Sequence, residues 1–166
     1  MKFSLFVISI LLVTGSLASA QGPQEAGYLR FPTVPPFTVV TLDSTNFTKD
    51  QLKRNTPTLI MYFNPECEHC KHQADSIVAN MEQFKKVQIL MASYAQPEEI
   101  STFYNDHNLK LYPNIHVGRD TKYFFQPFYK ILNLPFLALY DKKGKLLTTF
   151  EGTTPVAKLL EAFNKN

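Results

Sequence analysis

Thr58-Leu59-Ile60-Met61-Tyr62-Phe63-Asn64-Pro65-Glu66-Cys67-Glu68-His69-Cys70 is the stretch that decides the fold. Its first six residues are almost continuously apolar and are bounded by Pro57 and by Asn64-Pro65. A run this short and this apolar suits a central strand buried on both faces. The segment from Cys70 to Lys86 then places Ala74, Ile77, Val78, Met81 and Phe84 at helical spacing, and Val87–Tyr94 is a second buried strand. Strand, helix and parallel strand in this order make a βαβ unit, with the two cysteines at its strand-to-helix turn.

Outward from this unit the pattern stays α/β. Phe37–Leu42 has strand character, and Thr48–Lys53 suggests a short helix with Thr48 as its cap. Gln96-Pro97-Glu98-Glu99 opens another helix, with Pro at a permitted position and acids favouring the positive helix start. Tyr112–Asp120 reads as irregular because Pro113 and Gly118 interrupt it. Tyr123–Leu132 reads as a short aromatic helix restarting at Pro127, and Phe124, Phe125, Phe128 and Tyr129 either line an apolar substrate surface or belong to the core, the core being the commoner role of aromatics at helical spacing. Phe136–Tyr140, the turn Asp141–Gly144 and Lys145–Phe150 form a hairpin. A last helix starts at Pro155 with a buried stripe of Val156, Leu159, Leu160 and Phe163.

The chain's start is expected to be removed. Lys2, the apolar run Phe3–Val13 and Ala18-Ser19-Ala20 form a secretory signal over residues 1–20, too short to span a membrane as an anchor. Residues 21–36, rich in Pro and Gly, read as an arm or linker, and 37–166 as one domain. The formal charge of +3 falls to about +2 without Lys2, and no run of Lys or Arg exceeds two neighbours. Nucleic acid is not an expected partner, and the basic residues read as ordinary solvated surface. An exported chain meets an oxidising compartment, periplasmic or extracellular, where its two cysteines would pair.

At a helix start, unsatisfied N–H groups and the helix dipole favour an anionic sulfur. Cys67 at the exposed tip would attack a partner disulfide, and Cys70, one turn deeper, would resolve the mixed intermediate. No cofactor is needed. With these residues in view, the chain resembles the thioredoxin superfamily, and most closely its exported thiol-disulfide oxidoreductases of the TlpA/ResA type. The resemblance runs from Phe37 to Phe163. It rests on the strand, on Cys67-Glu68-His69-Cys70, and on the block Phe128 to Leu146 with its Asp141-Lys-Lys-Gly144 turn.

The resemblance implies a thioredoxin fold: a central mixed sheet flanked by helices, with an insertion within Pro97–Asp120. It also implies a cis Leu134–Pro135 peptide beside the cysteines, with Leu134 offering its backbone to substrate. The implied activity is reduction of protein disulfides, with a separate membrane thiol donor as partner. His69 matches the histidine that disulfide isomerases and the bacterial oxidase carry before the second cysteine, where it favours the thiolate. Glu66 and Glu68 would oppose it. Glu66, Met61 and Gln73 stand where relatives carry Trp, a buried Asp and a Glu.

Rival readings are a disulfide oxidase or isomerase, a Zn or Cu(I) module built on Cys67, His69, Cys70 and His72, and a structural disulfide closing a short loop. Peroxidase chemistry is disfavoured because Asn64 stands where the Thr-x-x-Cys motif needs Thr.

Overall fold

The computed structural model describes residues 25–164; the expected signal segment lies outside them. In chain order the elements are α1 (Gly27–Arg30), β1 (Thr38–Thr41), β2 (Asn46–Thr48), β3 (Thr58–Phe63), α2 (Glu68–Ala79), α3 (Met81–Phe84), β4 (Gln88–Ser93), α4 (Pro97–Asp106), β5 (Ile115–Arg119), α5 (Phe125–Tyr129), β6 (Phe136–Tyr140), β7 (Leu146–Glu151) and α6 (Val156–Asn164). The strands form a mixed sheet in the order β2-β1-β5-β4-β3-β6-β7. β3 lies at its centre, parallel to β4 and antiparallel to β6.

The alternation of side chains along each strand divides the core into two layers. Leu59, Met61, Phe63, Met91 and Leu139 face one side, where they pack with Ile77 of α2, Phe103 of α4 and Leu159 of α6. Ile60, Tyr62, Leu90, Phe136 and Tyr140 face the other, against Phe37, Phe125 and Tyr129. This second layer is strongly aromatic. The Phe125 ring lies 5.8 Å from Phe37, 5.7 Å from Tyr62 and 6.2 Å from Tyr129, in tilted or stacked pairs that aromatic quadrupoles favour. The buried hydroxyls of Tyr129 and Tyr140 satisfy each other at 2.5 Å. Residues ahead of Phe37 join this layer: Val34 is buried within it, and the Tyr28 ring lies 5.6 Å from Tyr129.

Three local readings change. The helix expected from Cys70 to Lys86 starts earlier, at Glu68, and breaks at Asn80, whose backbone leaves helical geometry while its side chain donates to Ser76 O at 2.9 Å. The helix expected over Thr48–Lys53 shrinks to a 3-10 turn, Lys49–Gln51, in which the Gln51 side-chain Oε1 accepts from Thr48 N at 2.8 Å. The segment 112–120, expected to be irregular, contains strand β5, parallel to β4 and antiparallel to β1. Gly118 does not break that strand. It permits it, since a Cβ there would sit 2.6 Å from Val39 Cγ2.

Candidate active site

β3 delivers the chain to the site. Phe63 is its last residue, and Asn64-Pro65-Glu66 carries the backbone to Cys67, which sits as the cap of α2. Asn64 organises this loop. Its carbonyl accepts from Cys67 N at 3.1 Å, and its side chain accepts from Glu66 N at 2.8 Å and donates to the Tyr94 hydroxyl at 3.0 Å. Cys67 O then accepts the N–H groups of Cys70 and Lys71 at 2.9 and 3.1 Å, closing the first turn.

The two sulfurs occupy different environments. Cys67 is half-buried and Cys70 fully buried, both as free thiols. Burial first, and then the hydrogen bond it shares with Cys67, push the Cys70 thiol far above its ordinary range, while a backbone hydrogen bond from Asn64 works the other way. Cys70 is thus held protonated beneath Cys67.

Across from Cys67 lies the loop between α5 and β6. Leu134 O is 4.0 Å from Cys67 Sγ, Pro135 is buried, and the Leu134–Pro135 peptide is cis. The four residues Glu151–Thr154 connect this loop to the cysteine helix. The Glu151 carboxylate accepts from the backbone and side-chain N–H groups of Asn133 at 3.1 and 2.9 Å, and Gly152 N donates to Pro135 O at 2.9 Å. Gly152 holds φ +74°, a backbone that suits glycine. Thr153 Oγ1 lies 3.3 Å from His69 Nδ1, and Thr154 N donates to Gln73 Oε1 at 2.7 Å.

The remaining expected residues surround the sulfurs. His69, Glu66 and Glu68 are exposed. Glu68 is paired with Lys71 at 2.7 Å, and that hydrogen bond and charge hold its carboxyl below the usual range. Among the described residues no three His, Cys, Asp or Glu side chains are grouped to hold a metal. Sequence reasoning missed Tyr94, Glu151, Thr153 and Thr154. Asn64 appeared there only as a strand terminator and as a missing peroxidase threonine.

A family model described as the AhpC/TSA family matches residues 32–159. The chain belongs to the AhpC/TSA family. Among solved structures this family member is similar to Mycobacterium tuberculosis DsbF, at 20% identity and TM-score 0.66, over 78% of this chain and 96% of that one. A thiol:disulfide interchange protein of the thioredoxin family from Chlorobium tepidum gives 16% identity and TM-score 0.66, over 80% and 94%. A peroxiredoxin-like protein from Aquifex aeolicus gives 17% and 0.63, over 84% and 86%. The shared architecture is the thioredoxin fold. No curated protein sequence matches the chain.

Proposed function

We propose that this protein is a thiol-disulfide oxidoreductase acting on protein substrates through Cys67 and Cys70. The observation that carries the reading is the placement of a half-exposed sulfur, Cys67, at a helix start beside the cis Leu134–Pro135 peptide, with the buried thiol of Cys70 one turn along the same helix. The Cys67 thiolate attacks one sulfur of a substrate disulfide, and the substrate's other sulfur departs and takes up a proton. Cys70 then gives up its proton and attacks the Cys67 sulfur, expelling the second substrate thiol. Two electrons pass from the protein dithiol to the substrate. Leu134 and Pro135 border the sulfur that is attacked, and the Leu134 backbone is the group a substrate chain would pair with.

Reduction is the favoured direction, in a periplasmic or extracellular setting, with a separate membrane dithiol returning the electrons. Insulin reduction in the presence of a dithiol tests the activity, and equilibration with glutathione tests the direction. The expected midpoint lies between about −270 mV and about −120 mV, the thioredoxin and bacterial-oxidase values. A value at the upper limit would reassign the protein as an oxidase. His69→Ala is expected to move the midpoint downward, because it removes the group that favours the Cys67 thiolate. An unmoved midpoint would make His69 a bystander.

Family membership favours a second reading, peroxide reduction. Asn64, at the motif's threonine position, has its side chain engaged by Tyr94 and Glu66 N, and peroxide consumption by the reduced protein decides the matter.

Glu151 is a positioning residue in this scheme. Its hydrogen bonds to Asn133 hold the loop that carries Leu134. Glu151→Ala is expected to raise KM for a protein disulfide about tenfold while kcat stays within about twofold, with Glu151→Gln retaining most of the affinity. An equal loss in kcat would assign Glu151 to the chemistry instead.

A further inference from the structure

Three basic doublets, far apart in the chain, meet at one end of the sheet. Lys53-Arg54 precedes β3, Lys85-Lys86 precedes β4, and Lys142-Lys143 lies in the turn after β6. Strand register brings them together. Thr58, the first residue of β3, pairs with Gln88 at the start of β4 and with Tyr140 at the end of β6. Gln88 reinforces the join, since its side chain accepts from Lys53 N at 2.8 Å and donates to Thr58 Oγ1 at 3.0 Å. Two clefts of about 600 and 660 Å³ open here, both walled in part by Lys53 and Lys142, and neither wall contains Asp or Glu.

All six side chains of the doublets are exposed. Among the described residues, one of the six has an ion pair: Lys85 with the exposed Glu82, at 3.2 Å. Other acids close in the chain to these doublets or to the cleft walls are Asp50, Asp141 and Glu161, and Asp141 is engaged by the N–H groups of Lys143 and Lys145, both at 2.8 Å. Cys67 lies beyond the opposite end of β3, about 20 Å away along a six-residue strand. The exposed acids Glu66, Glu68, Glu98 and Glu99 lie toward that end. The charge is therefore polarised along the strands.

We propose that the basic end is a docking surface for an anionic lipid bilayer, which would hold the protein with Cys67 facing away from the lipid. Five of the six cations are lysines, carried on turns and connecting segments outside the helices and strands. Such compact, mobile point charges suit a laterally uniform array of headgroups, whereas a single carboxylate constellation is better read by the fixed fork of Arg. The same end presents Leu111, 64% exposed beside Lys110, just ahead of the start of β5, which pairs with the start of β4. An apolar side chain among lysines fits the headgroup boundary of a bilayer.

The test is co-sedimentation of the reduced protein with vesicles of phosphatidylcholine alone, or with about 30 mol % phosphatidylglycerol. Binding is expected to the anionic vesicles only, with release at about 0.5 M salt. The triple variant Lys53→Glu, Lys86→Glu, Lys142→Glu should bind at least about 100-fold more weakly. Its insulin reduction in solution should equal the parent's, which also reports that it folds. Equal binding to neutral vesicles, insensitivity to salt or an unaffected triple variant would each overturn the proposal. So would binding to polyglutamate without binding to vesicles, which would assign the surface to an acidic protein. The salt series on the parent decides the question even if the variant does not fold.

Discussion

Cys67→Ser is expected to abolish disulfide reduction, lowering turnover by about three orders of magnitude or more, because the sulfur proposed to attack is lost while the fold is left intact. Cys67 sits at the surface end of α2 and is half-buried, so the replacement removes one atom's chemistry and little packing. Cys70→Ser is expected to behave differently. Attack by Cys67 still occurs, but no buried thiol lies beneath it to expel the substrate, so mixed disulfides accumulate through Cys67. Non-reducing gel electrophoresis after incubation with a protein disulfide distinguishes the two variants. Full turnover by Cys67→Ser would refute the proposed chemistry, and mixed disulfides formed by that variant would reverse the roles of the two sulfurs.

Phe125→Ala is expected to cost about 3–5 kcal/mol of folding stability, read as a lowered midpoint in urea. Phe125 is fully buried at the start of α5 and touches the rings of Phe37, Tyr62, Phe124 and Tyr129. Its backbone N–H donates to the buried Asp120 carboxylate at 3.0 Å, which fixes the helix start and limits how far the surroundings can collapse into the cavity. Phe125→Leu refills much of that volume and should cost less. A loss below about 1 kcal/mol for the alanine variant would show that the aromatic layer repacks freely, contrary to the close packing described.

Where hydrophobic pattern and punctuation agreed, the chain was legible. β3 and β6 match their expected bounds, because continuous apolar runs between prolines and turn residues leave a buried strand little alternative. β5 was missed for the opposite reason. Its two half-buried residues, His116 and Arg119, and its Gly118 carry no strand pattern of their own, and the segment becomes a strand because β4 and β1 supply its hydrogen-bond partners. The helix break at Asn80 was likewise hidden, since Met81 and Phe84 continue the apolar stripe across it.

The sequence by itself determined the α/β character, the position of Cys67 and Cys70 at a strand-to-helix turn, and the central strands on which that turn rests. These are local properties: burial pattern, three-residue spacing and turn residues act over a few positions. Tertiary structure decided what surrounds the sulfurs and how charge is distributed. Tyr94 reaches Asn64, and Glu151–Thr154 ties Asn133 and Pro135 to His69 and Gln73, only because β4 and β7 end near the tip of β3. Lys53-Arg54, Lys85-Lys86 and Lys142-Lys143 read as scattered surface along the chain. They become one basic end because register sets Thr58 beside both Gln88 and Tyr140. Strand pairing joins residues about thirty or more apart through backbone hydrogen bonds that carry no mark in side-chain identity, so no reading along the chain alone can place those partners.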